Sequence, residues 1–254
     1  MTIALVTGAT AGIGAEFSRQ LAARGYDLVL VARDRPRLDA FAADLASAHG
    51  VEVEVISADL VDRAQLATVE RRLADTERPV DFLLNNAGYG LPGWFEENPI
   101  DAETDLLELL AVVPMRLTQV ALRQMIPRRG GTVVNIASVA GFTPRGTYGA
   151  AKAWVISFSR WANLRYKPMG IVVTAVAPGF VRTEFHERMG TAREAMAPRW
   201  MWLDAEPFVR AALRDIDRGV GVSVPTLRYK LIVALVRLAP TRLAAAYGHR
   251  GRAR

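Results

Sequence analysis

The sequence predicts an α/β fold: a doubly wound parallel sheet with helices on both faces. Three observations carry this. Strand-like apolar runs alternate with helical stretches from the first residues on, giving three strand–helix repeats in about the first 80 residues. The runs are continuously apolar, as in Ile3 to Val6 and Leu28 to Ala32, which suits strands buried on both faces. Each motif rich in Gly, Asn or Pro follows a strand, at the carboxyl end where such sheets bind ligands. At 254 residues and 51% hydrophobic content, the chain can bury a full core as one domain, 1–254. No linker, low-complexity segment or further repeat is visible.

In order, Ile3 to Val6 is a buried strand leading into Gly8-Ala-Thr10-Ala-Gly12-Ile13-Gly14 and a helix from about Ala15 to Arg24, closed by Gly25. Glycine permits the tight turn and lets backbone N–H groups approach a phosphate, and the helix N-terminus favours that anion. A glycine turn alone could be only a turn; the strand before it and the helix after it favour a nucleotide. Asp27 to Ala32 is the second strand, ending at Arg33-Asp34-Arg35. An arginine at this distance from the glycines accepts a ribose 2′-phosphate, whereas an acid bonds the 2′-hydroxyl. Arg33 therefore favours NADP(H) over NAD(H), although Asp34 blurs the signal and a solvated charge is the plainer reading.

Residues 35–49 read as a helix, Val51 to Ile56 as a strand ending near Asp59-Leu60 on the adenine side, and 62–78 as a helix. Val80 to Leu84 is a strand closed by Asn85-Asn86-Ala87-Gly88. A long helical stretch, 101–128, is interrupted by Pro114. Then come a strand from Gly131 to Ala137, a helix over 148–168, and a strand from Ile171 to Ala177 capped by Pro178-Gly179-Phe180-Val181-Arg182-Thr183. Residues 184–203 look irregular, 205–217 helical, Val220 to Val224 a last strand and 226–238 a last helix.

The chemistry centres on Ser138, Tyr148 and Lys152. Tyr148 and Lys152 are four apart and share a helix face. A neighbouring ammonium favours phenolate and lowers a tyrosine pKa from about 10 toward neutrality. A hydroxyl at Ser138, on the end of the preceding strand, can bond the same substrate oxygen. Together they can polarise a carbonyl and pass it a proton. By itself Tyr-x-x-x-Lys is common, and a tyrosine packed on a lysine stem is the plain alternative. Only three lysines occur (Lys152, Lys167, Lys230) in an arginine-rich chain, so a lysine here hints at a group that must shift its pKa.

Composition removes other chemistries. There is no cysteine, hence no disulfide, thiolate metal site or cysteine nucleophile. The three histidines (His49, His186, His249) have no metal-binding spacing. Neither a signal peptide nor a membrane-spanning run is apparent, so a soluble cytoplasmic protein is expected. The net charge of +6 sits at the end: residues 219–254 hold seven Lys/Arg and no acid. Residues 1–218 hold 25 basic against 26 acidic residues, which argues against nucleic-acid binding by the body of the protein.

Thr7-Gly8-x-x-x-Gly12-Ile13-Gly14, Asn85-Asn86-Ala87-Gly88, Ser138, Tyr148-x-x-x-Lys152 and Pro178-Gly179 stand in this order over roughly 1–190. With these motifs the sequence resembles the short-chain dehydrogenases/reductases. The resemblance implies a Rossmann-type three-layer α/β/α fold, a nicotinamide dinucleotide, and hydride transfer to or from a carbonyl/alcohol pair. It implies Tyr148 as general acid/base, Lys152 as the group that lowers its pKa and holds the nicotinamide ribose, and Ser138 as the residue positioning the substrate oxygen. The dinucleotide would lie along Gly8, Thr10, Gly12, Ile13, Gly14, Asn86, Ala87, Gly88, Pro178 and Gly179. Val181 and Thr183 would meet the carboxamide. The family commonly pairs the helices at about 101–128 and 148–168 into homodimers or homotetramers.

Two departures stand out. Leu110 occupies the place of a usual asparagine whose main-chain carbonyl holds a proton-relaying water. Pro114, four residues on, lacks an N–H and would free the Leu110 carbonyl for the same water, or would merely kink the helix. The Ser138–Tyr148 interval is ten residues against a commoner twelve or thirteen, which would open the substrate pocket or move Ser138.

Segment 180–203, with Phe185, Met189, Met196, Trp200, Met201 and Trp202, would be a substrate lid. Tyr89, Leu91, Trp94 and Phe95 would form another wall. A lipophilic ketone or alcohol is expected: 3-oxoacyl, sphingoid-like or steroid-like. Core or interface packing is an equal alternative for these side chains. The apolar, basic-edged segment Leu227 to Leu238 fits an anionic membrane, a neighbouring subunit or the protein's own core, the last two preferred. An NADP(H)-binding sensor or scaffold with little turnover is the competing reading of the whole chain.

Overall fold

The computed structural model describes residues 2–184 and 197–238. Seven parallel strands form one sheet in the order β3-β2-β1-β4-β5-β6-β7. They are β1 (Ile3–Thr7), β2 (Asp27–Ala32), β3 (Val53–Ser57), β4 (Val80–Asn85), β5 (Gly131–Ile136), β6 (Ile171–Val176) and β7 (Val222–Ser223). The helices are α1 (Gly12–Ala22), α2 (Arg35–His49), α3 (Arg63–Leu73), α4 (Ile100–Leu107), α5 (Val113–Arg128), α6 (Gly146–Tyr166), α7 (Ala205–Asp217) and α8 (Leu227–Leu238).

The strand residues alternate between two cores, as a strand's period of two requires. Ala4 and Val6 of β1 and Leu28 and Leu30 of β2 pack with Phe17, Leu21, Leu38, Phe208 and Leu213 of α1, α2 and α7. Ile3, Leu5, Val29 and Val31 pack on the opposite face with Leu66, Val69, Leu117, Leu122 and Ala162 of α3, α5 and α6. Both faces are covered, so the central runs Ile3 to Val6 and Leu28 to Ala32 are continuously apolar. The strand order reverses between β1 and β4, and the crevice at that switch point is where this sheet type places ligands.

The expected elements are present, with shifted ends. Helix α1 begins at Gly12 rather than Ala15, so Gly12 and Gly14 lie within its first turn. Helix α3 stops at Leu73, not 78, because the Asp75 carboxylate turns the chain by accepting from the N–H groups of Glu77 and Arg78. Strand β7 shrinks to two residues. Pro114 does not break its helix. The ladder widens to a π-turn over Glu108–Val112, where the Val113 N–H bonds the Glu108 carbonyl five residues back. Proline has no N–H to give the Leu110 carbonyl and its ring crowds that position, so one extra residue enters the turn. Of the expected lid, Phe185, Met189 and Met196 lie outside the described residues, as do His186, His249 and the basic residues after 238.

Candidate active site

Thr7, at the carboxyl end of β1, ties the strand ends together. Its Oγ1 accepts from the N–H groups of Asn86 (2.9 Å) and Ala87 (3.1 Å), while the Asn86 Nδ2 donates to the carbonyls of Thr7 (2.9 Å) and Gly8 (3.1 Å). This fixes the Asn86–Gly88 segment against the glycine turn. Gly12, at φ +54°, adopts a left-handed conformation that other residues enter at a cost, and a Cβ there would lie 2.9 Å from Thr183. Helix α1 starts with neither a side-chain cap nor an acid in its first turn, which leaves its N–H groups and positive dipole end to an anion.

Deeper in the sheet, Asn85 Nδ2 donates to Asn135 Oδ1 (2.7 Å) and Thr118 Oγ1 (3.2 Å), and Asn135 Nδ2 donates to Ser159 Oγ (2.9 Å). This buried chain clamps β4, β5, α5 and α6 together. Sequence reading missed Asn135, Thr118 and Ser159, since separations of up to 50 residues leave no local signal.

At the end of β5, Ser138 has extended backbone, and its Oγ accepts from the Ala140 N–H (3.1 Å), opening a short turn over Val139–Phe142. Helix α6 then begins at Gly146, two residues before Tyr148. The short interval does not displace Ser138: its hydroxyl is hydrogen-bonded to the Tyr148 phenol. Lys152, one turn on and buried, donates to the Ile136 carbonyl at 2.6 Å, with Nζ 5.8 Å from the Tyr148 ring centre.

Burial pushes the Tyr148 phenol up, against the Ser138 hydrogen bond and the Arg145 charge, which lower it. Lys152 donates to the Ile136 carbonyl, and burial lowers its own pKa to about 7. The sign of the linkage follows. Between about pH 7 and the ordinary lysine value near 10.4, the unfolded chain binds the proton and the folded chain does not, so stability rises with pH. Lys152 thus contributes stability above that window, and the contribution is lost as pH falls through about 7. Urea unfolding at pH 7 and pH 9 should show the wild type gaining up to about 2 kcal/mol relative to Lys152→Met. Equal pH dependence in the two proteins would place the lysine pKa elsewhere.

These groups open on one cavity of about 1480 Å³. That exceeds the roughly 300–1,000 Å³ of a usual ligand pocket, leaving room for a dinucleotide and a second molecule. Ser138, Tyr148 and Lys152 line it, as do Gly8, Thr10, Gly12, Ile13, Arg33, Asp59, Leu60, Asn86, Ala87, Gly88, Pro178, Gly179, Val181 and Thr183. Gly14 is the exception. It is buried behind the turn, where a Cβ would strike the Gly8 carbonyl and the Asn86 amide, so it shapes the cradle without facing it.

Arg33 is 72% exposed and 3.8 Å from Asp59 Oδ2. The carboxylate of Asp34, whose presence blurred the sequence signal, caps α2 by accepting from the Arg37 N–H at 3.0 Å. Arg37, not foreseen, also lines the cavity and is paired with Glu184.

Tyr89, Leu91 and Trp94 form a wall as expected, but Phe95 turns to the surface and does not line the cavity. Phe180, Trp200 and Met201 line it, whereas Trp202 is buried against Phe180, ring centres 5.4 Å apart. A further wall comes from α8, through Tyr229, Ile232, Val233 and Val236. The buried Tyr229 hydroxyl accepts from the Phe180 N–H (3.0 Å) and donates to the Met201 carbonyl (2.8 Å). Its ring packs so closely on Gly179 that a Cβ there would overlap it.

A glycine cradle, a helix N-terminus and a Ser–Tyr–Lys cluster at the switch point of a parallel sheet define an oxidoreductase of the nicotinamide-dinucleotide class. Residues 2–194 match the family model for short chain dehydrogenases. The chain belongs to the short-chain dehydrogenase/reductase family, whose members bind NAD(P).

Among solved structures, a short-chain dehydrogenase from Sphingobium yanoikuyae in complex with NADPH is 38% identical. The match covers 92% of this chain and 93% of that one, with a TM-score of 0.85. The bulky-bulky ketone specific alcohol dehydrogenase from Comamonas testosteroni is 36% identical, covering 91% and 90%, with a TM-score of 0.80. A very-long-chain 3-oxoacyl-CoA reductase from Anas platyrhynchos is 34% identical over 221 residues, 84% of this chain and 68% of that protein. Across the first three curated relatives, the chain spans 64% to 68% of their length.

Proposed function

We propose that the protein is an NADP(H)-dependent oxidoreductase acting on the carbonyl/alcohol group of a lipophilic substrate, of 3-oxoacyl, sphingoid-like or steroid-like type. The observation that carries this reading is that one cavity joins the glycine cradle, the Ser138–Tyr148–Lys152 cluster and an apolar wall. NADPH, when bound, supplies the hydride. Ser138 and Tyr148 then hold the carbonyl oxygen between two hydroxyls, and the phenol gives it a proton. Burial pushes that phenol up, so it carries its proton at neutral pH. Lys152 would hold the nicotinamide ribose and pass a proton toward Tyr148. Leu110, buried beside Tyr148, lines the cavity in the widened turn, and its carbonyl has no amide at Pro114 to receive from. We assign that carbonyl to the relay water.

Preference for NADP(H) rests on Arg33, with Asp34 occupied in capping, and agrees with the NADPH complex of the Sphingobium protein. The names of the Comamonas and Anas proteins support a bulky or long-chain carbonyl substrate. Self-association through α5 and α6 is supported by exposed Met115, Trp154, Trp161 and Leu164.

The test is NADPH and NADH oxidation against a panel of lipophilic ketones, with Arg33→Ala beside the wild type. Loss of a charge-assisted phosphate contact should raise the KM for NADPH about 10–100-fold and leave NADH unchanged. Equal effects on both cofactors would sink the phosphate assignment. Tight NADPH binding with no ketone turned over would favour the sensor reading and make Leu110→Asn the next variant.

A further inference from the structure

Helix α8 has two apolar faces. The inner one carries Tyr229, Ile232, Val233 and Val236 and closes the cavity. The outer one carries Leu227, Leu231, Leu235 and Leu238, which are 84%, 62%, 59% and 85% exposed. At helical spacing these four leucines form one stripe along the whole helix. Arg228 borders the stripe on one side and Lys230 and Arg237 on the other, all exposed. The Arg228 guanidinium donates to the carbonyl of Trp200, whose indole is itself 59% exposed.

We propose that this outer face docks the protein on an anionic membrane surface. Leucines flanked on both sides by basic side chains, with a tryptophan beside them, are what a helix lying in the headgroup plane presents. The basic groups reach the lipid phosphates while their stems follow the leucines down. Charge complementarity selects this occupant over a second copy. The helix has no acidic residue, nor has the chain anywhere from 219 to 254, where seven Lys/Arg lie. Two copies packed through this stripe would set basic flank against basic flank. The mode is surface attachment, since no helix among the described residues is long and apolar enough to span a bilayer. One consequence rests on the proposed lipophilic substrate: because the other face of α8 lines the cavity, a substrate dissolved in the membrane reaches the site past this helix without crossing bulk water.

Flotation of the full chain with vesicles, without cofactor or substrate, tests the docking apart from any activity. The probes are vesicles of phosphatidylcholine and phosphatidylserine in equal parts, and of phosphatidylcholine alone. The wild type should float with the anionic vesicles, less so at high salt. The Leu231→Ser/Leu235→Ser variant, whose changed side chains lie outside the cavity, should partition roughly 100-fold less. Lys230→Gln/Arg237→Gln should float less than the wild type on anionic vesicles only. No flotation of the wild type, or equal flotation of the leucine variant, overturns the proposal. So does a wild-type oligomer that the leucine variant dissolves without any vesicle binding, which would make the stripe a contact between copies. NADPH affinity equal to the wild type's verifies that the variants are folded.

Discussion

Tyr148→Phe should lower kcat for ketone reduction by about 10²–10⁴ and leave the NADPH dissociation constant within about twofold. The ring contributes packing against Leu106, Leu110 and Ala151, and phenylalanine keeps it. The lost oxygen is the one that Ser138 bonds and that the substrate carbonyl would meet. Ser138 retains the Ala140 N–H as a partner, so the β5 end need not rearrange. Removing a proton donor while leaving the shape intact should therefore separate catalysis from binding. Stopped-flow reduction and a fluorescence titration with NADPH read the two quantities independently. A variant keeping more than about a tenth of its rate would transfer the acid/base role to another group.

Gly14→Ala should cost about 1–3 kcal/mol of stability and weaken NADPH binding at least about tenfold. The added methyl would meet the Gly8 carbonyl and the Asn86 amide. Neither is a flexible tip: Gly8 is backbone, and Asn86 is held by donating to both Thr7 and Gly8. Relief requires the glycine turn to move away from β4, and the N–H groups of Gly8 and Gly12 move with it. Thermal denaturation measures the first effect and NADPH titration the second. A destabilised variant with unchanged affinity would separate the turn from the phosphate site.

The part of the site that is local in sequence was legible there. The glycine turn, Asn86–Gly88, Ser138 and Pro178–Gly179 each follow a strand end, where one rule about parallel sheets collects them, and the four-residue spacing of Tyr148 and Lys152 puts both on one helix face. What sequence could not give was depth. Gly14 and Gly12 look alike in the motif, yet one is buried behind the turn and the other lines the cavity. Burial pushes the Tyr148 phenol up and the Lys152 ammonium down, and burial belongs to the assembled fold, not to the spacing of the two residues. Pro114 pointed to an interruption, while neighbouring backbone absorbed it as a π-turn. The contribution of α8 was the least visible. Its residues repeat apolar side chains on both faces, and only the docking of Tyr229 on Gly179 determines which face is inside.

That docking divides the polypeptide into two inheritances. The residues proposed to hold the coenzyme and move the proton run from Gly8 to Thr183, whereas one further wall of the same cavity is supplied by a helix beginning at Leu227. The two meet where the Tyr229 phenol bonds the Phe180 amide and the Met201 carbonyl and where α8 packs on the Val139–Phe142 turn. A chain built this way can exchange its final helices and acquire a different appetite, provided a ring still sits on Gly179. The reaction would be preserved while its target drifts.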